Sequence, residues 1–491
     1  MICDSMDQLV RTSYDEFKDV TGIYEKIDGR FVGRTFGEFY TDVRSLSEKL
    51  LNMGLRGKNI LLYGRNSYNW MAAYLAITAY VGVAVPIDKE WKVNDIDRVL
   101  SVADIDFILY SGYLEGNLAG ANKPKANLEN ETTDLIRQGA PLDVKRVENQ
   151  TNNDRVCTVM FTSGTTTTPK RIELTERNLV ANGNEMGKLF TVSPRDRYMV
   201  SLPLSHIGTV LGVFIYPVSM GASMYIPNDF NEMGEDLKLV RPTVLYGVPK
   251  IFEKIWESIP SDKQAKIKKG IKVSNFLRRI GIDKRKEIFA AFHESLGGAT
   301  RFAISGAAKL DDGLIRIFDD MGLTILQAYG MTETSAVVAC DSIGRYRLGS
   351  VGKVLGNQIY KIIDQDENGV GEICVKGENV AKCAVEGDGY LHTGDLGYVD
   401  KDGYLFIIGR IKRLIKLSNA KNVYPDELEK LLMQMKGVLH ARVYEKDACI
   451  AAEIVSDCGH ETINGLVAML NNDLPHYMKI QQVKIIQTPE N

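Results

Sequence analysis

Short apolar runs that alternate with helical patterns constrain this chain more than any other feature. Asn59–Tyr63, Val83–Ile87, Phe107–Tyr110, Val156–Phe161, Tyr198–Leu202 and Ala222–Ile226 each read as a buried strand. Leu46–Met53 and Asn69–Tyr80 read as helices. Near-continuous apolar strands of this kind belong in parallel sheets covered by helices. The pattern predicts an α/β fold, a large N-terminal domain built on parallel-type sheets. Residues 115–153 are polar and rich in Asn, and are expected to form a surface excursion.

From Gly371 the pattern changes. Glu372–Lys376 and Tyr404–Ile408 are short strand-like segments separated by Gly and Asp turns, which predicts a small β-rich subdomain. Beyond Arg410 come a helix over Tyr424–Met435, strands near Val438–Tyr444 and Cys449–Val455, and a helix over Glu461–Asn472. At 491 residues the chain exceeds what one core supports. The expected division is an N-terminal domain over 1–409, a hinge at 410–412, and a small mobile α+β C-terminal domain over 413–491.

Composition narrows the function classes. Hydrophobic residues at 44% and charged residues at 25% fit a globular protein in water. A net charge of -3 gives no broad attraction to nucleic acid or anionic membrane, so any membrane contact has to be local. No apolar run reaches the roughly 18–20 residues of a membrane span. Trp70–Val85 comes nearest, but Tyr, Thr and Gly interrupt it and Pro86 and Asp88 end it. Met1–Asp7 lacks the basic-then-apolar pattern of a signal peptide. Seven scattered cysteines without a CxxC pair predict buried free thiols in a cytoplasmic setting. Six dispersed histidines give no zinc-type cluster.

Four segments carry chemistry. Phe161-Thr-Ser-Gly-Thr-Thr-Thr-Thr-Pro-Lys170 follows a strand and precedes a helix starting near Glu176. Its hydroxyls, glycine and backbone amides suit a phosphate chain, with Lys170 adding positive charge; a solvated turn is the bland alternative. The spacing is not that of a Walker loop. Gln327-Ala-Tyr-Gly-Met-Thr-Glu-Thr334 follows the strand Leu323–Leu326 and places a carboxylate beside a hydroxyl, a pair able to hold Mg²⁺ with phosphate oxygens. The alternative is a strand-to-helix turn capped by Thr332. In Leu391-His-Thr-Gly-Asp-Leu396 the acid is placed to accept hydrogen bonds from ribose hydroxyls, or to close an Asx turn. Gly409-Arg-Ile-Lys-Arg-Leu-Ile-Lys416 sets basic residues at the expected domain junction.

The order of these segments resembles the adenylate-forming superfamily of acyl-CoA synthetases, adenylation domains and luciferases. There TSGTTGxPKG, YGxTE, TGD and GRxD/KxxIK follow one another in the same sequence. Val85-Pro-Ile-Asp88, Leu202-Pro-Leu-Ser-His206 and Ser305-Gly-Ala-Ala308 extend the likeness. It is strongest to the long-chain acyl-CoA synthetase branch, through Arg241–Glu253, Asn66-Ser-Tyr-Asn-Trp70 and Lys421-Asn-Val-Tyr-Pro425. The resemblance implies ATP, Mg²⁺ and CoA as cofactor and co-substrates. The acid would be a medium- or long-chain fatty acid, and an acyl carrier protein is the alternative thiol acceptor. It further implies that Thr162, Ser163, Gly164, Thr165, Thr166 and Lys170 grip the β- and γ-phosphates. Thr332 would hold the α-phosphate and Glu333 the Mg²⁺. Gly306, Ala307, Tyr329 and Gly330 would line the adenine site, Asp395 and Arg410 would take the ribose, and His206 would lie near the acyl carboxylate. Lys412 matches the hinge. Ile207–Phe214 lacks the acid that amino-acid-activating domains carry there; it reads as an apolar wall for an alkyl chain or as core.

The match departs in three places. Thr167 and Arg171 stand where the phosphate loop of the superfamily has glycine, so weaker ATP binding or another loop shape is expected. Asn419-Ala420 replaces a Gly-Gly pair. Thr488-Pro-Glu-Asn491 stands where the superfamily has TPxGK, without its lysine. That leaves a shortened chain, slower adenylation, or a non-catalytic nucleotide- or acyl-adenylate-binding relative as the alternatives.

Overall fold

The computed structural model describes residues 3–140, 153–162, 169–228, 232–416, 422–446 and 449–487. Packing divides the chain into two compact units. The first comprises Met1–Ile359 with Lys376–Gly389, the second Tyr360–Val375 with Tyr390–Asn491.

The first unit holds two large sheets, as the α/β pattern predicts. One has the order Lys125–Asn127, Ile105–Tyr110, Asn59–Tyr63, Val83–Ile87, Val156–Thr162, Lys170–Thr175. Its first five strands run parallel, and only the last pair is antiparallel. The other has nine strands. At its centre Ile325–Tyr329, Phe302–Ser305, Val244–Gly247, Arg197–Met199, Ser223–Ile226 and Thr21–Ile27 are parallel neighbours. Antiparallel strands close both edges. Parallel strands whose carboxyl ends share one side create a crevice there, the usual ligand position in open α/β sheets.

Local chemistry fixes the elements. Thr35 and Glu38 form a capping box that starts the helix Phe36–Asn52, ten residues earlier than the sequence suggests. Ser67 accepts the Trp70 amide and begins the helix Tyr68–Ala76, which runs on as a π-helical turn to Val81. Trp70 stacks on Tyr74, whose ring meets Phe214 edge-on, as does Phe39. Ile207, Val210, Leu211, Val213 and Phe214 are buried in this principal core. The stretch read as wall or core is therefore core. The segment expected to be a surface excursion is more ordered than that: Lys125–Asn127 pairs with the sheet and Glu131–Gln138 is a helix. Residues 141–152 of this segment lie outside the described residues.

The second unit carries the antiparallel sheet Gln358–Ile363, Gly371–Gly377, Leu391–Val399, Leu405–Arg410, and a three-stranded sheet of Val438–Lys446, Cys449–Ser456 and Gln482–Gln487. The helices Pro425–Met433 and His460–Asp473 pack on the latter through Leu428, Leu432, Ile463 and Val467. Tyr424 donates to Asp366 at 2.9 Å, and Arg413 pairs with Asp426 and Glu429. None of the seven cysteines is in a disulfide; Cys3, Cys157, Cys340 and Cys374 are buried, whereas Cys383 is exposed.

Because Phe214 is core, Phe214→Ala is expected to lower stability by about 3–5 kcal/mol. Thermal or urea unfolding checks this. A variant that kept wild-type stability and changed only its acid preference would return the segment to the wall reading.

Candidate functional site

The site grows from the carboxyl ends of the parallel strands. Val156–Thr162 ends at the Ser/Thr-rich segment, and the chain returns antiparallel as Lys170–Thr175, with Thr162 opposite Lys170. The helix expected near Glu176 begins there, after this returning strand. Ser163, Gly164, Thr165, Thr166 and Thr167 lie outside the described residues. Arg171 sits opposite Phe161 in the returning strand and pairs with Glu173 at 2.9 Å. At that position the backbone is extended, so nothing there requires glycine.

Lys170, at the start of the returning strand, places Nζ 3.0 Å from Oε1 of Glu333. Two of the sequence-derived segments therefore meet, 163 residues apart along the chain. Glu333 belongs to a single 3-10 turn, Thr332–Thr334, at the end of the strand Ile325–Tyr329. Thr334, not Thr332, closes that turn: its hydroxyl accepts the Met331 amide at 3.1 Å and donates to the Met331 carbonyl at 3.0 Å. The turn is strained. Ser335 and Ala336 have φ of 52° and 101°. A Cβ on Gly330 would lie 1.7 Å from the Ala336 carbonyl oxygen, so only glycine fits. One strand along, Ala307 follows the buried Gly306 with φ of 69°. Left-handed backbone at residues other than glycine costs about 1–3 kcal/mol and gathers at ligand sites.

Sequence reading missed what holds this turn. The helix Glu176–Leu189 presents Asn178, Asn182 and Glu185, all buried, at i, i+4 and i+7. Asn182 donates to the carbonyls of Thr334 and Val337, each at 3.0 Å. Asn379 donates to the same two carbonyls at 2.9 and 3.1 Å. Asn178 grips the carbonyls of Glu378 and Val380, and the Ala381 amide donates to the Glu333 carbonyl at 2.8 Å. The same helix also carries Glu176, Arg177, Asn184 and Lys188, so no sequence signal set these residues apart. Asp341 accepts the Gln327 amide at 3.0 Å beneath the turn, and burial pushes its carboxyl up to about 7.

Two further sequence segments also meet. Nε2 of His206 lies 3.3 Å from Asp88, the acid of Val85-Pro-Ile-Asp88, and Ser205 donates to the same oxygen at 3.2 Å. The His206 hydrogen bond holds the Asp88 carboxyl below its usual range. Asn66 shapes this loop by donating to the carbonyls of Val200 and Leu202 and accepting from the Leu204 amide.

A mostly apolar cavity of about 1130 Å³ opens beside the nine-stranded sheet, lined by Leu245, Tyr246, Phe252, Ile255, Ile267 and Phe292 among others. Tyr246 connects it to the strand ends: its hydroxyl donates to the Gly208 carbonyl at 3.0 Å, and the carbonyl of the next residue, Gly247, accepts the Gly306 amide at 3.1 Å. The volume exceeds the roughly 300–1,000 Å³ of ordinary small-molecule pockets.

In the second unit, Asp395 and Arg410 are cross-strand partners with Nε to Oδ1 at 2.6 Å. Asp395 is buried while the arginine is mostly exposed. Glu372 braces the turn before Asp395 by accepting the Gly394 amide at 3.0 Å and contacting His392 Nδ1 at 3.2 Å. With Cys374 these groups place three metal-type donor atoms within 4.8 Å of one another, a grouping that spacing along the sequence did not reveal. Lys412 is exposed in the turn Ile411–Arg413. Residues 417–421, with Asn419 and Ala420, and 488–491 lie outside the described residues.

The AMP-binding enzyme family profile matches residues 15–384. The chain belongs to the AMP-binding enzyme family. It is 27% identical over 438 residues to long-chain-fatty-acid–CoA ligase 5 of Rattus norvegicus, covering 78% of this chain and 64% of that one. It is 28% identical over 458 residues to a long-chain-fatty-acid–CoA ligase of Mycobacterium bovis, covering 83% of this chain and 74% of that one. The chain thus spans slightly less than two thirds of the rat relative. Among solved structures, an ATP-bound RpMatB-BxBclM chimera superposes with a TM-score of 0.81 at 22% identity, over 99% of this chain and 96% of that one. The fold of this AMP-binding chain is the fold of that structure.

Two predictions follow from the turn. Asn182 and Asn379 serve the same carbonyls, so Asn182→Ala or Asn379→Ala alone is expected to cost about 1–2 kcal/mol. The double variant should cost more than the sum, because the carbonyls then lose both donors; urea unfolding of all three reads the coupling. Asp341 keeps its proton in the folded state up to about pH 7 but loses it near the ordinary carboxylate value when unfolded. Its stabilisation is therefore complete at low pH and is lost as pH rises towards and through 7. Tm should fall between about pH 4 and 7, the window between the unfolded and folded carboxyl values, and Asp341→Asn should flatten that fall. Parallel pH profiles would contradict the assignment.

Proposed function

We propose that this chain activates a medium- or long-chain fatty acid with ATP as an acyl-adenylate and then passes the acyl group to the thiol of CoA. The observation that carries this reading is the meeting of Lys170 and Glu333, which puts a cation and a carboxylate at one strand-end crevice. A phosphate chain would take Lys170 and leave Glu333 to a divalent metal, so the pair fits both. Magnesium, when bound, would neutralise phosphate charge. Glu333 would hold it, with Thr332 at the α-phosphate and Lys170 at the outer phosphates.

The remaining roles are assigned by likeness. Ser163–Thr166 and Thr162 would cradle the phosphates, Gly306, Ala307, Tyr329 and Gly330 would flank adenine, and Asp395 with Arg410 would take the ribose hydroxyls. The carboxylate oxygen of the acid attacks the α-phosphorus, and the bond to pyrophosphate breaks. The thiol then displaces AMP from the acyl carbon. The chain's part is positioning and charge neutralisation. Asp88 orients His206 beside the entering carboxylate, and the cavity behind Tyr246 receives the alkyl chain. Lys412 is the hinge about which a C-terminal domain over 413–491 would reorient between the two half-reactions. Seven cysteines without a disulfide support a cytoplasmic setting.

ATP–pyrophosphate exchange with acids from acetate to oleate and several aryl acids tests this. Exchange should be highest with the longer fatty acids, and Lys170→Ala and Glu333→Ala should each lower it by about 10²–10³. Unchanged exchange in both variants contradicts the site. Retained nucleotide binding without exchange for any acid would make the chain a non-catalytic binder. Offering CoA or a phosphopantetheinylated carrier protein to the adenylated enzyme identifies the acceptor.

A further inference from the structure

The chain's small net charge conceals a strong segregation. Between residues 261 and 286 there are ten Lys and Arg against two Asp, while the whole chain is at -3. This stretch is the helix Ser261–Arg279 and the turn after it, both in the first unit. Nine of the ten basic residues are exposed, and Arg285 is half-buried.

The helix has an inner and an outer side. Ser274 is buried, and Ile267 and Ile271 pack on the second core cluster of the unit. Val273, Phe276 and Ile280, at i, i+3 and i+7, point the other way and are 57%, 63% and 58% exposed; Ile282 continues the patch at 43%. At about 100° per residue, Lys269 falls within this apolar stripe, and Lys272, Lys268 and Arg279 flank it. Among the described residues, none of Lys268, Lys269, Lys272 and Arg279 is paired with a carboxylate.

We propose that this helix face docks the protein on an anionic lipid bilayer. A large aromatic and two branched aliphatic side chains in water cost free energy that a nucleic-acid groove does not recover, whereas the acyl boundary of a bilayer does. Lysines and arginines around an apolar stripe reach the lipid phosphates while their stems lie along the interface. The charge is thus complementary to an anionic surface. The same helix supplies Lys263, Lys266 and Ile267 to the cavity lining, so docking brings the cavity wall to the lipid. That last link alone rests on the proposed function; the docking itself does not.

Co-sedimentation of the full chain with vesicles tests it. Vesicles of phosphatidylcholine with about one third phosphatidylglycerol should bind, and pure phosphatidylcholine should not. Raising salt from about 0.05 M to 0.5 M should release the protein. The triple variant Lys268→Gln/Lys269→Gln/Lys272→Gln should bind about 100-fold more weakly, each charge contributing about fivefold. Phe276→Ser/Ile280→Ser should also lose vesicle binding with unchanged circular dichroism, since neither side chain is part of the core. Absence of binding at low salt, equal binding to neutral vesicles, or wild-type binding by both variants overturns the proposal. So does tight binding to duplex DNA that survives Phe276→Ser, which would assign the face to nucleic acid. None of these readouts depends on exchange activity.

Discussion

Two carbonyls of the turn after the strand Ile325–Tyr329, those of Thr334 and Val337, take their donors from side chains far away in the sequence. Their backbone turns through left-handed conformations at Ser335 and Ala336 and closes over Gly330, which has no room for a side chain. A buried segment with unmatched carbonyls would be expensive, so the surrounding chain supplies donors from outside. Asn182 from a helix and Asn379 from a loop deliver them in duplicate. That duplicate clamp presents Glu333 to Lys170 in one geometry. The strain at the turn and the amides that oppose it are two halves of one device.

Much of the scaffold was legible because its chemistry is local. Fully buried parallel strands such as Asn59–Tyr63 and Val83–Ile87 read directly as apolar runs, and both match the structure end to end. The hairpin at Val156–Thr175 was not legible: nothing in a Ser/Thr-rich run tells whether the chain turns back on itself or enters a helix. Tyr198–Leu202 shortens to Arg197–Met199, because the loop beyond it is gripped by Asn66, a partner more than 130 residues away. The meaning of Ile207–Phe214 was likewise open, since an apolar stretch looks the same whether it faces a ligand or Tyr74 and Phe39.

At the site, the residues that touch one another across long sequence separation are those the ordered segments pointed to: Lys170 with Glu333, and Asp88 with His206. The residues that hold them in place escaped notice, because asparagine carries no pattern of its own outside caps and turns. The grouping of Glu372, Cys374 and His392 escaped for a related reason. Cys374 and His392 are register partners on neighbouring antiparallel strands, a relation set by pairing rather than by spacing.

The hairpin has an evolutionary corollary. Thr162 and Lys170 are paired across the ladder, so the seven intervening residues are an insert whose two ends are fixed by the strands rather than by its own letters. Such an insert can be rewritten, lengthened or stripped of glycines without altering the register of Val156–Thr162 against its neighbours. What the insert binds and how the sheet pairs are thereby separable, whereas Arg171, opposite Phe161, belongs to the ladder itself.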